Sequence, residues 1–114
     1  MSKEVYENKY NAYFGFAKKK RSIYVGMKLE EMIKEHKIAL VIFLSECSQK
    51  SEAHLCSLIK DDSVIKTIRY EGFYDIKNVL GFDLLKAIGI KDVSLANAIY
   101  NTMREEQKEK EENK

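Results

Sequence analysis

Few side chains in this chain have the types and spacing that bond-making chemistry needs. His54 follows Glu52 by two positions and is the one candidate general base. The alternative role for such a histidine is a surface or capping group. Cys47 and Cys56 stand nine apart, form no C-x-x-C pair and make no recognisable zinc spacing with His36 and His54. Reduced, partly buried thiols are the expectation, with neither a disulfide nor a metal centre. The chain contains no G-x-S-x-G, no glycine-rich phosphate loop and no H-E-x-x-H, the motifs that would announce an acyl-transfer, nucleotide or zinc-hydrolase site. Its carboxylates are scattered among lysines at helical spacing, as surface ion pairs are. The expectation is therefore a binding protein, not an enzyme, with no cofactor.

What remains able to act on a partner is positive charge. The net charge is only +2, but residues 1–37 carry nine Lys/Arg against five Glu, whereas 38–103 carry seven against eight and 104–114 four against five. The basic excess thus lies in the first third of the chain, with Lys18-Lys19-Lys20-Arg21 its densest run. Such an asymmetry attracts polyanions. The same run at the end of a helix also complements the helix dipole, which is its purely structural role.

The elements that must hold these residues follow from hydrophobic spacing. A chain of 114 residues, 45% hydrophobic and 33% charged, suits one domain with one core and is too short for two. The longest apolar block, Ile38-Ala39-Leu40-Val41-Ile42-Phe43-Leu44, is far below the ~18 residues of a spanning helix. Met1-Ser2-Lys3-Glu4 opens no apolar signal region, so a cytoplasmic protein without membrane contact is expected. Tyr10, Tyr13, Phe14, Phe16 and Ala17 predict a helix over 8–20, and Ile23-Tyr24-Val25 a short strand stopping at Gly26. Leu29, Met32 and Ile33 predict a second helix over 27–36, and the apolar block a strand buried on both faces. A third helix is expected to end before Asp61-Asp62, and a strand to run over 64–70. A fourth helix is read over 78–88 with Gly89 as its C-terminal glycine, then a short strand over 93–97, then a helix from about Ala98. Residues 1–103 form the expected domain and 104–114 a charged, fraying tail. The alternation α-β-α-β-α-β-α-β-α predicts an α/β fold: a mostly parallel four-stranded sheet between helices.

Three stretches carry a family resemblance. Residues 13–26, an apolar helix with an internal Gly15-Phe16-Ala17, a basic turn, a short strand and Gly26, resemble the opening of the bacterial YlxQ-like branch of the kink-turn-binding ribosomal protein family. Leu40-Val41-Ile42-Phe43-Leu44-Ser45-Glu46-Cys47-Ser48 is similar to its buried strand and acidic-small-Ser loop, and Asp83-Leu84-Leu85-Lys86-Ala87-Ile88-Gly89 to its E-L-G-x-A-I-G helix end, which precedes the final strand. The resemblance covers roughly residues 10–99. It implies a three-layer α-β-α sandwich with a mixed, mostly parallel sheet, and binding of structured, kink-turn-like RNA, ribosomal RNA included. It also implies two RNA-facing loops: Gly26-Met27-Lys28 after the first strand, and Ile90-Lys91-Asp92-Val93-Ser94, placed between the fourth helix and the last strand. Lys19, Lys20 and Arg21 beside the first loop are expected at phosphates, and Ile90 and Val93 against an unstacked base or in the core. Typical kink-turn binders carry Asn-Glu-x-x-Lys at the start of the second helix, where this chain has Met27, Lys28 and Glu31. The different-class alternative is a protein-interaction module on the same fold, using the aromatic first helix or the charged tail.

Overall fold

The computed structural model describes residues 2–60 and 64–112; the Asp61-Asp62 pair expected after the third helix and the last two positions of the tail lie outside the described residues. Helix α1 spans Lys3–Lys19, starting ahead of the expected Asn8 because the Ser2 hydroxyl accepts from the Val5 N–H and Tyr6 extends the apolar stripe. Tyr6, Tyr10, Phe14 and Ala17 all turn inward. The chain continues through β1 (Ile23–Tyr24), α2 (Gly26–Lys34), β2 (Leu40–Phe43), α3 (Gln49–Ser57), β3 (Lys66–Arg69), α4 (Ile76–Leu80), β4 (Ala87–Ile90) and α5 (Val93–Glu112). The predicted order of helices and strands holds, but the last strand is not where it was expected: it lies at 87–90, inside the stretch read as the fourth helix, and the expected strand over 93–97 is helical.

Helix α4 stops at Leu80. Gly81 takes the left-handed conformation (φ +83°), and the Gly81 and Phe82 amides donate back to the Asn78 and Lys77 carbonyls. The glycine that ends the helix is thus Gly81, and the stretch read as the rest of that helix contains β4. Gly89 lies inside β4, opposite Val41 on one side and Tyr24 on the other. The strand expected over 93–97 is instead the first turn of α5, where the Asp92 carboxylate accepts from the Leu95 N–H at 2.9 Å. Together with Lys20, 3.2 Å away, that amide holds the Asp92 carboxyl below its ordinary pKa, the amide being the larger influence.

The sheet order is β1-β4-β2-β3. Only β2 and β3 pair in parallel; β4 runs antiparallel to both β1 and β2, so the sheet is mixed and not mostly parallel. The chain leaves β3 at Arg69 and re-enters the sheet at Ala87, both of which pair with Phe43, so β4 starts at the end where β3 finished and returns antiparallel.

Alternate residues of β2 feed two apolar layers. Leu40 and Ile42, with Ile88 and Ile90 of β4, pack against Tyr10, Phe14, Ile99 and Met103 of α1 and α5. Val41 and Phe43 pack against Leu29 and Ile33 of α2 and Leu55 of α3. Every residue of β2 is buried, as its unbroken apolar run predicted. Gly89 lets α2 lie close on the sheet: a Cβ there would overlap Leu29 Cδ1 and crowd the Ile38 side chain. Gly89→Ala is expected to destabilise the fold by about 1–3 kcal/mol through this overpacking, read as a lower urea midpoint at unchanged slope.

The segment read as a tail from Arg104 is a continuation of α5, and Glu106 within it is buried at 8% exposure. Its Oε1 accepts from the Tyr10 hydroxyl at 2.6 Å and from the Tyr70 hydroxyl at 2.9 Å. Burial first, and the Glu106 carboxylate second, push the Tyr10 hydroxyl well above the usual tyrosine range. No helix among the described residues is long and apolar enough to cross a membrane.

Candidate functional site

The end of the sheet where β1, β2 and β3 finish and β4 begins opens into a cleft of about 630 Å³ between α2, α3 and the 82–86 loop. One wall is the start of α2. Val25 occupies its N-cap without a side-chain hydrogen bond, no acidic residue stands in the first turn, and Gly26 adopts φ +61°. The first-turn amides therefore carry the helix's partial positive charge toward solvent with no side chain to absorb it.

The opposite wall is α3, whose own N-terminus is closed by Ser48 accepting from the Ser51 N–H at 3.1 Å. Lys50 and His54 of α3 face the cleft, and His54 Nε2 lies 2.8 Å from Glu30 Oε1 of α2, bridging the mouth. Glu52, the carboxylate that made His54 a candidate base, is instead turned to Arg69, at 2.8 Å from Nη2. Arg69 also donates to the Leu44 and Cys47 carbonyls at 3.2 and 3.0 Å, fastening the β2–α3 connection. Burial raises the Cys47 thiol pKa, and the side chain packs in the apolar layer under α2 and α3. Among the described residues no group of three or more His, Cys, Asp or Glu is placed to hold a metal.

The third wall is the loop leading into β4. The Leu44 N–H donates to the Lys86 carbonyl at 2.8 Å, and Lys77 of α4 pairs with Glu46 at 2.6 Å, so both ends of this region are tied to the sheet. Leu85 and Ala87 are buried, which leaves Phe82, Leu84 and Lys86 outward. Leu84 is 65% exposed, and Met27, next to Gly26 at the start of α2, is 86% exposed. Exposed apolar groups beside free amides and lysines suit a partner with flat hydrophobic faces and negative charge.

The structure splits the sequence-derived site residues between two ends of the sheet. Gly26 lines the cleft, and Met27 and Lys28 follow it in the first turn of α2, with Lys28 3.5 Å from Glu31. Lys19, Lys20, Arg21, Lys91 and Val93 stand at the other end, where the Lys91 N–H donates to the Ser22 carbonyl and Lys20 pairs with Asp92. Ile90, in β4, is fully buried and belongs to the core. The loop between the fourth helix and the last strand is residues 81–86 and not 90–94, because β4 begins at Ala87. Sequence reasoning therefore missed Phe82, Leu84 and Lys86, as well as Lys50. The usable signal was Gly81 after the short run Ile76-Lys77-Asn78-Val79-Leu80, a helix stop eight residues earlier than the one chosen.

The aromatic residues of α1 that the protein-interaction alternative would expose are mostly in the core; Tyr6, Tyr10 and Phe14 are at most 3% exposed.

No family model and no curated protein matches this chain. Solved structures do. One is a protein of unknown function from Bacillus halodurans C, with a TM-score of 0.70 at 16% identity over 82% of this chain and 95% of that one. Another is the Giardia lamblia 15.5kD RNA binding protein, with a TM-score of 0.61 at 12% identity over 94% of this chain and 92% of that one. At these identities the likeness establishes a shared fold.

Proposed function

We propose that this protein binds structured RNA of the kink-turn type, without catalysis, at the cleft between α2, α3 and the 82–86 loop. The observation that carries the reading is the convergence there of uncapped α2 amides, exposed Leu84 and the lysines Lys50 and Lys86, with exposed Met27 adjoining Gly26. The shared fold with an RNA-binding protein and the resemblance to the kink-turn-binding family support it. Lacking Asn and Glu at the start of α2, the chain recognises its RNA by shape and backbone more than by base edges. Amides at a helix start take phosphate or base-edge acceptors, lysines neutralise the backbone, and Met27 and Leu84 cover an unpaired base. Within this reading the RNA is ribosomal or comparably folded, and the protein acts in the cytoplasm as part of a ribonucleoprotein.

The test is titration of a labelled kink-turn RNA and a matched straight duplex, each at low and near-physiological salt. Selective binding of the kinked RNA that persists at the higher salt is expected. Equal, weak binding to both, lost steeply with salt, would mean a basic surface alone. No binding at low salt would overturn the reading and favour a protein partner at the exposed apolar rim.

A further inference from the structure

Among the described residues, Arg21 and His36 are the two non-glycine residues with positive φ, +53° and +60°. Each closes a helix in the same way. At the end of α1 the Ser22 N–H donates to the Ala17 carbonyl and the Arg21 N–H to the Lys18 carbonyl; at the end of α2 the Lys37 N–H donates to Met32 and the His36 N–H to Ile33. This is the closing motif in which glycine normally takes the left-handed position, since a Cβ there crowds the backbone. Both positions carry a cationic or ionisable side chain instead. A residue held in a disfavoured conformation at two places on one surface points to a role for its side chain.

Both motifs lie at the same end of the sheet, away from the cleft. The register Ile23↔Ile90↔Leu40 sets Ser22, Lys91 and Ala39 side by side, joined by the Lys91 N–H to the Ser22 carbonyl and the Ala39 N–H to the Ile90 carbonyl. Neighbouring strands are about 4.8 Å apart, so the α1–β1, β4–α5 and α2–β2 connections bring their side chains onto one edge. Lys18, Lys19, Arg21, Lys34 and Lys91 are exposed there. The carboxylates described nearby, Asp92 and Glu35, are engaged with Lys20 and Lys37 at 3.2 and 3.7 Å. The surplus of charge in the first third of the sequence thus gathers on this end, not around Gly26. Arg21 and Gly26 are five positions apart, roughly 16 Å of extended chain, too far for one small ligand but well within the length of an RNA stem.

We infer that this basic end is a second RNA surface, which takes the phosphate backbone of a helical stem while the cleft holds the kinked or unpaired part of the same molecule. The inference rests on the RNA-binding reading and deepens it by dividing the work between two ends: positioning at Arg21, Lys19 and Lys91, and selectivity at the cleft. Arg21 provides a test that separates binding from folding. Arg21→Gly places the preferred residue in the left-handed position, so the thermal midpoint is expected to hold or rise while contact with phosphate is lost.

Fluorescence anisotropy with a labelled straight A-form RNA duplex, across a series of salt concentrations, reads the effect. Arg21→Gly is expected to lower the slope of log affinity against log salt by about one. Adding Lys19→Gln and Lys91→Gln is expected to lower it by about three and to weaken duplex binding at least about tenfold at low salt. Lys108→Gln, near the far end of α5, serves as the charge control and is expected to leave the slope unchanged. An unaltered slope and affinity in the triple variant would overturn the inference, even where the wild-type chain selects kink-turn RNA through the cleft. Loss of duplex binding in the triple variant of a chain that shows no kink-turn selectivity would support the basic end and remove the cleft reading. Absence of duplex binding by the wild-type chain at low salt would overturn the inference whatever the cleft does.

Discussion

Replacing Glu106 by alanine is expected to cost about 3–5 kcal/mol of folding stability, from two hydroxyls left without an acceptor and the void beside them. The Glu106 carboxylate accepts from two hydroxyls, Tyr10 at 2.6 Å and Tyr70 at 2.9 Å, and the Tyr70 oxygen in turn accepts from the Tyr74 N–H at 3.1 Å. Tyr10 is fully buried and Tyr70 nearly so. Alanine would strand both hydroxyls away from water, at about 1–3 kcal/mol each, and leave a void between α1 and α5. With a domain's whole stability at about 5–15 kcal/mol, such a loss shows directly as a large drop in the denaturant midpoint. Glu106→Gln keeps an acceptor oxygen and the volume, and is expected to lose markedly less. Gly72 provides an internal check. A Cβ at Gly72 would overlap Glu106 Oε2 and the Tyr70 hydroxyl, so Gly72→Ala disturbs the same network and its cost should shrink in the Glu106→Ala background. Equal costs in both backgrounds would mean that Glu106 and Gly72 act independently.

The second large effect is on binding. Leu84→Asp is expected to weaken kink-turn RNA at least about tenfold, equivalent to ~1.4 kcal/mol, while folding stability stays within about 0.5 kcal/mol. The two outcomes separate because Leu84 is 65% exposed and contributes little to the core, whereas its neighbours Leu85 and Ala87 hold the loop in place. Aspartate removes an apolar contact and sets a negative charge against a polyanion, in the same cleft wall as Lys86. Side-by-side titration of wild-type and variant chains, with urea denaturation of both, decides it. Unchanged affinity would show that the RNA does not enter the cleft. Lower affinity accompanied by a lower denaturation midpoint would report damage to the loop, not loss of a contact.

The elements that the sequence made legible are those whose burial pattern is self-contained. The run from Ile38 to Leu44 is apolar at every position, and a segment that must hide both faces has only the middle of a sheet to occupy; β2 is buried throughout. Helix α1 was legible because Tyr10, Phe14 and Ala17 keep helical spacing; the lysine surplus was legible as a run, but the sequence set it beside Gly26 and not at the other end of the sheet. The region from Asn78 to Asn97 was not legible. Leu84, Leu85 and Ile88 fit a helix as well as a loop and strand, and nothing local tells Gly81 from Gly89 as the stopping point. The strand's pairing partners, Tyr24 and Val41, lie more than 45 residues away, so only the assembled sheet chooses β4.

That choice reverses the direction of β4, makes the sheet mixed, and brings Phe82, Leu84 and Lys86 to the Gly26 cleft while carrying Lys91 to the opposite end beside Arg21. Glu106 shows the same division. Its neighbours Arg104, Glu105, Gln107 and Lys108 are all polar or charged, and only the packing of α5 against α1 and the end of β3 gives it Tyr10 and Tyr70 to satisfy. The sequence alone determined the alternation of elements, the central buried strand and the basic character of the first third. Tertiary structure decided which residues share a surface, because strand direction and register are set by contacts between segments far apart in the chain.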